Sequence, residues 1–451
     1  MIGVSLSRWT MSYFAVALLC LLTAEALMTF GYGFPHAALR APDTLILVHV
    51  VAIGWLSLLM CGALFQFLPV LVVQPLYSNM LPLPTLVSLI AGLTALILGF
   101  LQLGGRIAPA PYFFALAGAL LSFGFILVLW NLARTLWSAQ TRPLPAQFVI
   151  VGLISVAATA ALGLIFSLAF AGRATHGALL ALTGSALPLH VVAGFGGWLT
   201  FTAMGVSYRL LAMFMLAPEL ERRSSKAALY LGAVALTIAI AGGTLAILVR
   251  GDVALVLAAA GVLGLMALAL YGADVSYLYR ARKRPKIELN SRISLFAFAG
   301  LAASVVLILI LLALGRLTDH LGAVVFLIAF GWLSGFGLAQ LYKIVAFLTW
   351  LECYGPVLGK TRTPRVQDLV VEARAIKWFR LYFLGVVAGV IALIAGHSLI
   401  FQASAAAMLI ATGGIVVQLV RTRRLADVEA ALRLPQGARR PRLLFSPSQQ
   451  A

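Results

Sequence analysis

Acidic residues are scarce in this chain: 13 Asp and Glu stand against 32 Lys and Arg among 451 residues, and charged side chains of both signs make up only 10%. Water-soluble domains carry about 25% charged residues, so a soluble globular fold is excluded. Cysteine is equally sparse. Cys20, Cys61 and Cys353 share no metal-ligand spacing, and two of them lie inside apolar runs, which speaks for packing and against a disulfide framework or a zinc site. There is no phosphate loop, no nucleophile triad and no pair of catalytic carboxylates. Histidine, the residue best suited to bind a redox metal, occurs six times.

What the chain does have is apolar length. Hydrophobic residues are 63% of it. A bilayer core of about 30 Å is crossed by about 20 helical residues, and apolar windows give twelve such spans. They lie near 11–33, 44–73, 81–104, 111–137, 146–172, 187–216, 226–249, 252–279, 291–315, 320–352, 376–397 and 402–421. The fold class expected is therefore an all-α polytopic membrane protein. Arg8 followed by an apolar run has the look of a signal peptide, but no cleavage site follows, so the run reads as an uncleaved first span.

The net charge of +19 does not call for nucleic acid as a partner, because the basic residues sit in short loops and at the C-terminal end. Loops after spans 4, 6, 8 and 10 hold Arg134 and Arg142; Arg222, Arg223 and Lys226; Arg280 to Lys286; and Lys360, Arg362 and Arg365. Loops after odd spans hold one Arg or none. By the positive-inside rule both termini are cytoplasmic, as in a multi-pass protein of a bacterial inner membrane. All six histidines (His36, His49, His176, His190, His320 and His397) then fall on or near the outer face. Residues 425–451 read as a basic cytoplasmic tail, with a short interfacial helix at Arg424–Leu434.

Three spans share a motif. Span 2 reads GWLSLLMCGALFQFLPVL from Gly54, span 6 GWLTFTAMGVSYRLLAMF from Gly197, and span 10 GWLSGFGLAQLYKIVAFL from Gly331. Gly62, Gly205 and Ala339 correspond, as do Phe65, Tyr208 and Tyr342, and then Gln66, Arg209 and Lys343. The motif starts are 143 and 134 residues apart, and each interval holds four spans. The membrane domain 1–424 thus divides into three four-helix repeats, about 1–140, 141–286 and 287–424, each with a marked second helix. Glycine at these positions lets helices approach closely. Trp55, Trp198 and Trp332 read as packing wedges whose indole N–H bonds a neighbouring helix. Gln66, Arg209 and Lys343, about 33 Å below their helix starts, are expected to snorkel to the inner headgroups.

Twelve spans in three fours, with spans 2, 6 and 10 marked, resembles subunit I of heme-copper oxidases. The local pattern of His, Gly-Trp-Leu and Gly-x-x-Tyr-x-Leu is most similar to the cbb-type subunit I-like proteins and the related NnrS family of heme- and copper-containing membrane proteins. The resemblance is motif-specific around Val48–Pro69, His190–Phe214 and Gly331–Leu348. In those proteins the outer ends of the marked helices often carry His-x-His, seven and five residues before the Gly-Trp glycine. Here span 2 keeps the second, His49, with Leu47 at the first position. Span 6 keeps the first, His190, with Val192 at the second. Span 10 keeps neither, and His320 lies eleven residues before Gly331. Span 7, where the family places a copper ligand, has no histidine, so a complete oxygen-reducing heme-copper centre is not expected.

The resemblance implies a b-type heme near the outer face, held by His49 with His320 or His190, and less readily copper, with His397 a further candidate metal ligand. Asp319 would orient the His320 ring. It also implies a redox, gas-response or respiratory-complex role, in contact with the lipid bilayer and with other respiratory or cytochrome subunits; any catalysis would be oxidoreduction. Met28, Met60 and Met204 are soft residues better read as packing. Read from the residues alone, the alternative is a twelve-helix transporter or metal-handling protein without heme. Glu25, a carboxyl inside span 1, suits either proton or cation handling or a quiet interhelical hydrogen bond, and Asp274 is expected to pair with Arg280 at the inner boundary.

Overall fold

A computed structural model of the chain describes residues 8–108, 110 and 112–445; the rest of the expected tail, 446–451, lies outside them. The described residues are helical and contain no strand. Twelve helices are long and apolar enough to cross a membrane: α1 Thr10–Thr29, α2 Pro42–Val72, α3 Pro82–Leu103, α4 Phe113–Trp137, α5 Leu144–Phe170, α6 Leu187–Met215, α7 Arg223–Leu248, α8 Val253–Arg280, α9 Leu289–Ala313, α10 Leu321–Val357, α11 Glu372–Ala395 and α12 Ser398–Arg423. These fall within a few residues of the twelve apolar windows. Large apolar side chains stand exposed along them, such as Leu255, Val262 and Met266 on α8 and Val306, Ile310 and Leu312 on α9. In a chain with this many spans such surfaces face lipid.

The three marked helices are the most enclosed. In the most apolar part of α10, 78% of residues are buried, and in α2 and α6 61%, against 50% or less in the other nine. Each is interrupted by a π-helical stretch, and the motif glycine and tryptophan lie within it every time: Val50–Ser57 in α2, Val192–Phe201 in α6 and Leu327–Ser334 in α10. A fourth π stretch, Ile238–Gly242 in α7, lacks the motif. A π turn widens the helix and shifts its hydrogen bonds by one residue, so these segments set the register of the residues below them.

The chain forms two compact units, which meet in sequence within α2 and just before α9. The first comprises residues up to Gln66 and from Glu288 onward, and so contains α1, most of α2 and α9–α12. The second, Phe67–Ile287, contains α3–α8. The threefold repeat is visible in their helix pairings. The first helix of each quartet packs along the π stretch of the second: α1 on α2, α5 on α6, α9 on α10. The third and fourth pair with each other: α3 with α4, α7 with α8, α11 with α12.

The equivalent glycines serve the same end. A Cβ at Gly62 would come 2.6 Å from the Tyr13 Cβ of α1, and one at Gly205 2.5 Å from the Phe148 Cβ of α5. The same two aromatics then meet Phe65 and Tyr208 edge-on, at 5.6 and 5.5 Å between centroids. The third repeat departs from this: Tyr342 meets Phe379 of α11 instead.

In the first unit the chain beyond α12 folds back instead of trailing. Leu425 and Val428 are buried with Cys353, Tyr354, Val357 and Leu369. The expected interfacial helix over Arg424–Leu434 is reduced to Ala430–Arg433, and side-chain bonds hold the segment. Asp427 accepts from Arg421 at 2.6 Å and from Arg374 at 2.8 Å, and the Tyr354 hydroxyl donates to the Arg433 carbonyl at 2.8 Å.

The hydrogen bond from Arg421 holds the Asp427 carboxyl below its ordinary value; burial opposes that shift and Arg374 adds to it. A depressed folded-state pKa means that the clamp stabilises fully above the unfolded carboxylate pKa of about 4 and is lost as pH falls through the lower folded value. Pepsin cleavage within 425–434 should therefore rise steeply on acidification below about pH 4. Asp427→Asn should loosen the segment at neutral pH, read as faster tryptic cleavage at Arg433. Equal cleavage of variant and wild type would show that Asp427 does not hold it.

Candidate functional site

A π turn inside a membrane span carries a penalty that the sequence has to meet. Main-chain carbonyls released from the regular ladder find no water there. The serine of the motif answers this. Ser57 donates to the Ala52 carbonyl at 2.8 Å and Ser334 to that of Ala329 at 2.7 Å, each five residues back.

Ser334 does more. Its oxygen accepts the Trp55 indole N–H at 2.8 Å, tying the π stretch of α2 to that of α10. One residue along from Ala329, the Phe330 carbonyl accepts the Tyr382 hydroxyl of α11 at 3.0 Å. Trp55, Ser334 and Tyr382 are fully buried. Trp332 instead stacks on Phe336, 5.3 Å away at 29°, and lies beside Phe298. In the second unit Trp198 is buried at the same register.

Glu25 of α1 completes the first unit's polar interior. It is 0% exposed. Its Oε1 accepts from the Thr412 hydroxyl of α12 at 2.9 Å, while Oε2 is buried with no hydrogen-bond partner among the described residues.

The histidines divide into three kinds. His49 sits immediately before the π stretch of α2 and is half-buried; its Nδ1 is 2.7 Å from the Leu45 carbonyl. His190, two residues before the π stretch of α6, has Nδ1 3.1 Å from the Thr159 carbonyl of α5 and its ring edge-on to Phe166. A carbonyl only accepts, so in both rings Nδ1 carries a proton.

His320 marks the start of α10, where its carbonyl accepts from Ala323 and Val324. The expected orienting carboxylate, Asp319, lies 3.5 Å from the Arg316 guanidinium. His397 is exposed at the start of α12. His176 caps the short helix Gly177–Ser185, its Nδ1 accepting the Ala178 N–H at 3.3 Å, and His36 meets Gln402 at 3.2 Å. Among the described residues no three His, Cys, Asp or Glu side chains gather as they would around a metal ion.

Toward the C-terminal ends of α6 and α10, the two repeated basic positions carry ion pairs. Arg209 pairs with Glu219, and Lys343 lies 2.6 Å from Glu288 with both side chains 14% exposed. Asp274 lies in the second unit away from its expected partner. It accepts from Ser224 at 2.6 Å and from Tyr208 at 3.0 Å, with Arg222 at 3.8 Å. Tyr208 belongs to the repeat alignment, so its position was marked in the sequence although its role was not; Ser224, Tyr382 and Thr412 carried no such mark.

Compared with known proteins, the chain matches no protein-family model and no curated sequence.

Replacing Ser334 by Ala should leave the Trp55 N–H and the Ala329 carbonyl unpaired. A buried group left so costs about 1–3 kcal/mol, so the thermal midpoint in detergent should drop by several degrees. Trp55→Phe added to Ser334→Ala should cost less than it does alone, because the bond is already gone. Additive losses would mean that the two side chains do not act as a pair.

Proposed function

We propose that the protein is a heme-binding protein of a bacterial inner membrane, related in architecture to the heme-copper oxidase subunit I-like proteins and without their full oxygen-reducing centre. Its role would be electron transfer or gas response beside a respiratory complex. The observation that supports this most directly is the tautomer shared by His49 and His190. Ring nitrogens that ligate iron are typically opposite an N–H that donates to a main-chain carbonyl or carboxylate, which fixes the ring and raises ligand basicity. Both rings have that arrangement, and both lie at the outer entry to a π stretch, a distortion often found at functional sites.

His49 and His320, both of the first unit, would be the residues to hold a b-type heme. When bound, such a group would supply one-electron or gas-binding chemistry. The protein's own part is to fix the ring and to exclude water. Copper fits less well, since no three-ligand group is assembled among the described residues.

A transporter or metal-handling protein on the same twelve-helix scaffold is the second reading, favoured by the buried Glu25 carboxyl. Uptake by vesicles that persists in His49→Ala would support it.

Protein purified from heme-replete membranes should show a Soret band and about one heme per chain by pyridine hemochrome. His49→Ala should lose at least tenfold in heme content, and His320→Ala should remove the low-spin spectrum if it is the second ligand. Folded protein with neither Soret band nor bound iron would overturn the heme reading.

A further inference from the structure

The geometry points to Glu25 as a proton-binding site inside the first unit, a carboxylic acid that takes up and releases its proton while enclosed by α1, α2 and α12. This stands apart from the heme reading and uses none of its residues.

Three observations carry it. The first is enclosure without a counter-charge. Glu25 is 0% exposed, and among the described residues no Lys, Arg or His reaches it. The helices packed against α1 are α2, along its π stretch, and α12. From α12 the group that bonds it is Thr412, a hydroxyl, and from α2 no titratable or charged group acts on it. The one titratable group within electrostatic reach is Tyr382 of α11, whose hydroxyl proton is committed to the Phe330 carbonyl. A carboxylate cannot be held in an apolar span on those terms, whereas the neutral acid can.

The second is the direction of the Thr412 hydroxyl. Helical Ser and Thr commonly return their proton to the carbonyl four residues back, and Thr23, Thr29, Thr94, Thr159, Ser404 and Thr422 all do so here. Thr412 gives its proton to Glu25 Oε1 instead. That bond leaves the acid's own proton on Oε2.

The third is that Oε2 is fully buried and has no partner among the described residues. Trp55, Ser334 and Tyr382 of the same unit are each matched, whereas this carboxyl oxygen is left with a position to fill. A proton resident on Oε2, exchanged through a transient water, fills it. On release the O–H bond breaks, the electron pair stays on the carboxylate oxygen, and the proton passes to water.

Infrared difference spectroscopy on the full chain in lipid nanodiscs tests this. Wild type minus Glu25→Gln should show a protonated-carboxyl C=O band at neutral pH. The band should shift down in D2O, fall as pH is raised, and be replaced by carboxylate bands. Thr412→Val, which removes the bond to Oε1, should move it to higher frequency, and it stands in for Glu25→Gln if that variant fails to fold by size-exclusion chromatography. Three results would overturn the proposal: no Glu25-dependent C=O band in folded protein; a band that never exchanges with deuterium, meaning a sealed structural acid; or carboxylate bands at neutral pH that depend on sodium or potassium, meaning a cation site.

Discussion

Main-chain carbonyls freed inside a membrane have to be satisfied by the protein, and in the first unit this requirement organises much of what lies around it. The π stretches of α2 and α10 loosen the ladder at the same register, and each is closed by the hydroxyl of its own motif serine. Ser334 then has an acceptor lone pair to spare, which the Trp55 indole uses. The Gly-Trp-Leu-Ser motif is thus one mechanical device. Glycine admits the neighbouring helix, tryptophan fills the widened turn and reaches across, and serine repairs the backbone. This gives the recurrence of the four positions in α2 and α10 a physical reason.

The same device ranks the helices. A helix whose π stretch also bonds its neighbours, as that of α10 bonds Trp55 and Tyr382, is drawn away from lipid, where no partner exists. The three that carry the motif are the three most buried. Helices without it, above all α8 and α9, present leucine, valine and isoleucine outward. The shortage of acidic residues belongs to this pattern. Several of the few present are spent as partners: Glu288 for Lys343, Glu219 for Arg209, Asp274 for Arg222, Asp427 for Arg374 and Arg421, and Glu352 for the buried Arg423, 2.9 Å away.

The spans, their number and the three marked helices were legible in the sequence, because length in lipid and a repeated motif are one-dimensional signals. The π stretches were not. The motif marked the place, but whether a turn takes one more residue depends on what a neighbouring helix offers, and Ser334 and Trp55 are 279 residues apart. Asp274 was matched to Arg280 by sequence proximity, whereas the fold supplies Arg222 and Ser224 from the next helix back in the chain. Thr412 and Tyr382 look like ordinary residues of apolar helices until α11 and α12 bring them against α1 and α10. The segment after α12 was judged by its composition, which reads as solvent-facing; its clamp comes from Asp427, a single residue among many basic ones.

Set side by side, the polar groups of the first unit differ in how complete they are. Trp55, Ser334 and Tyr382 each end on a defined acceptor, and such a network holds helices in one arrangement. Glu25 lies in the same interior but has one oxygen matched and one not, and it has no cation to stabilise a charge. A group kept only to join α1 to α12 would be better served by an amide or a second hydroxyl, neither of which carries the cost of ionisation. What separates a carboxyl from those substitutes is that its proton can leave and return.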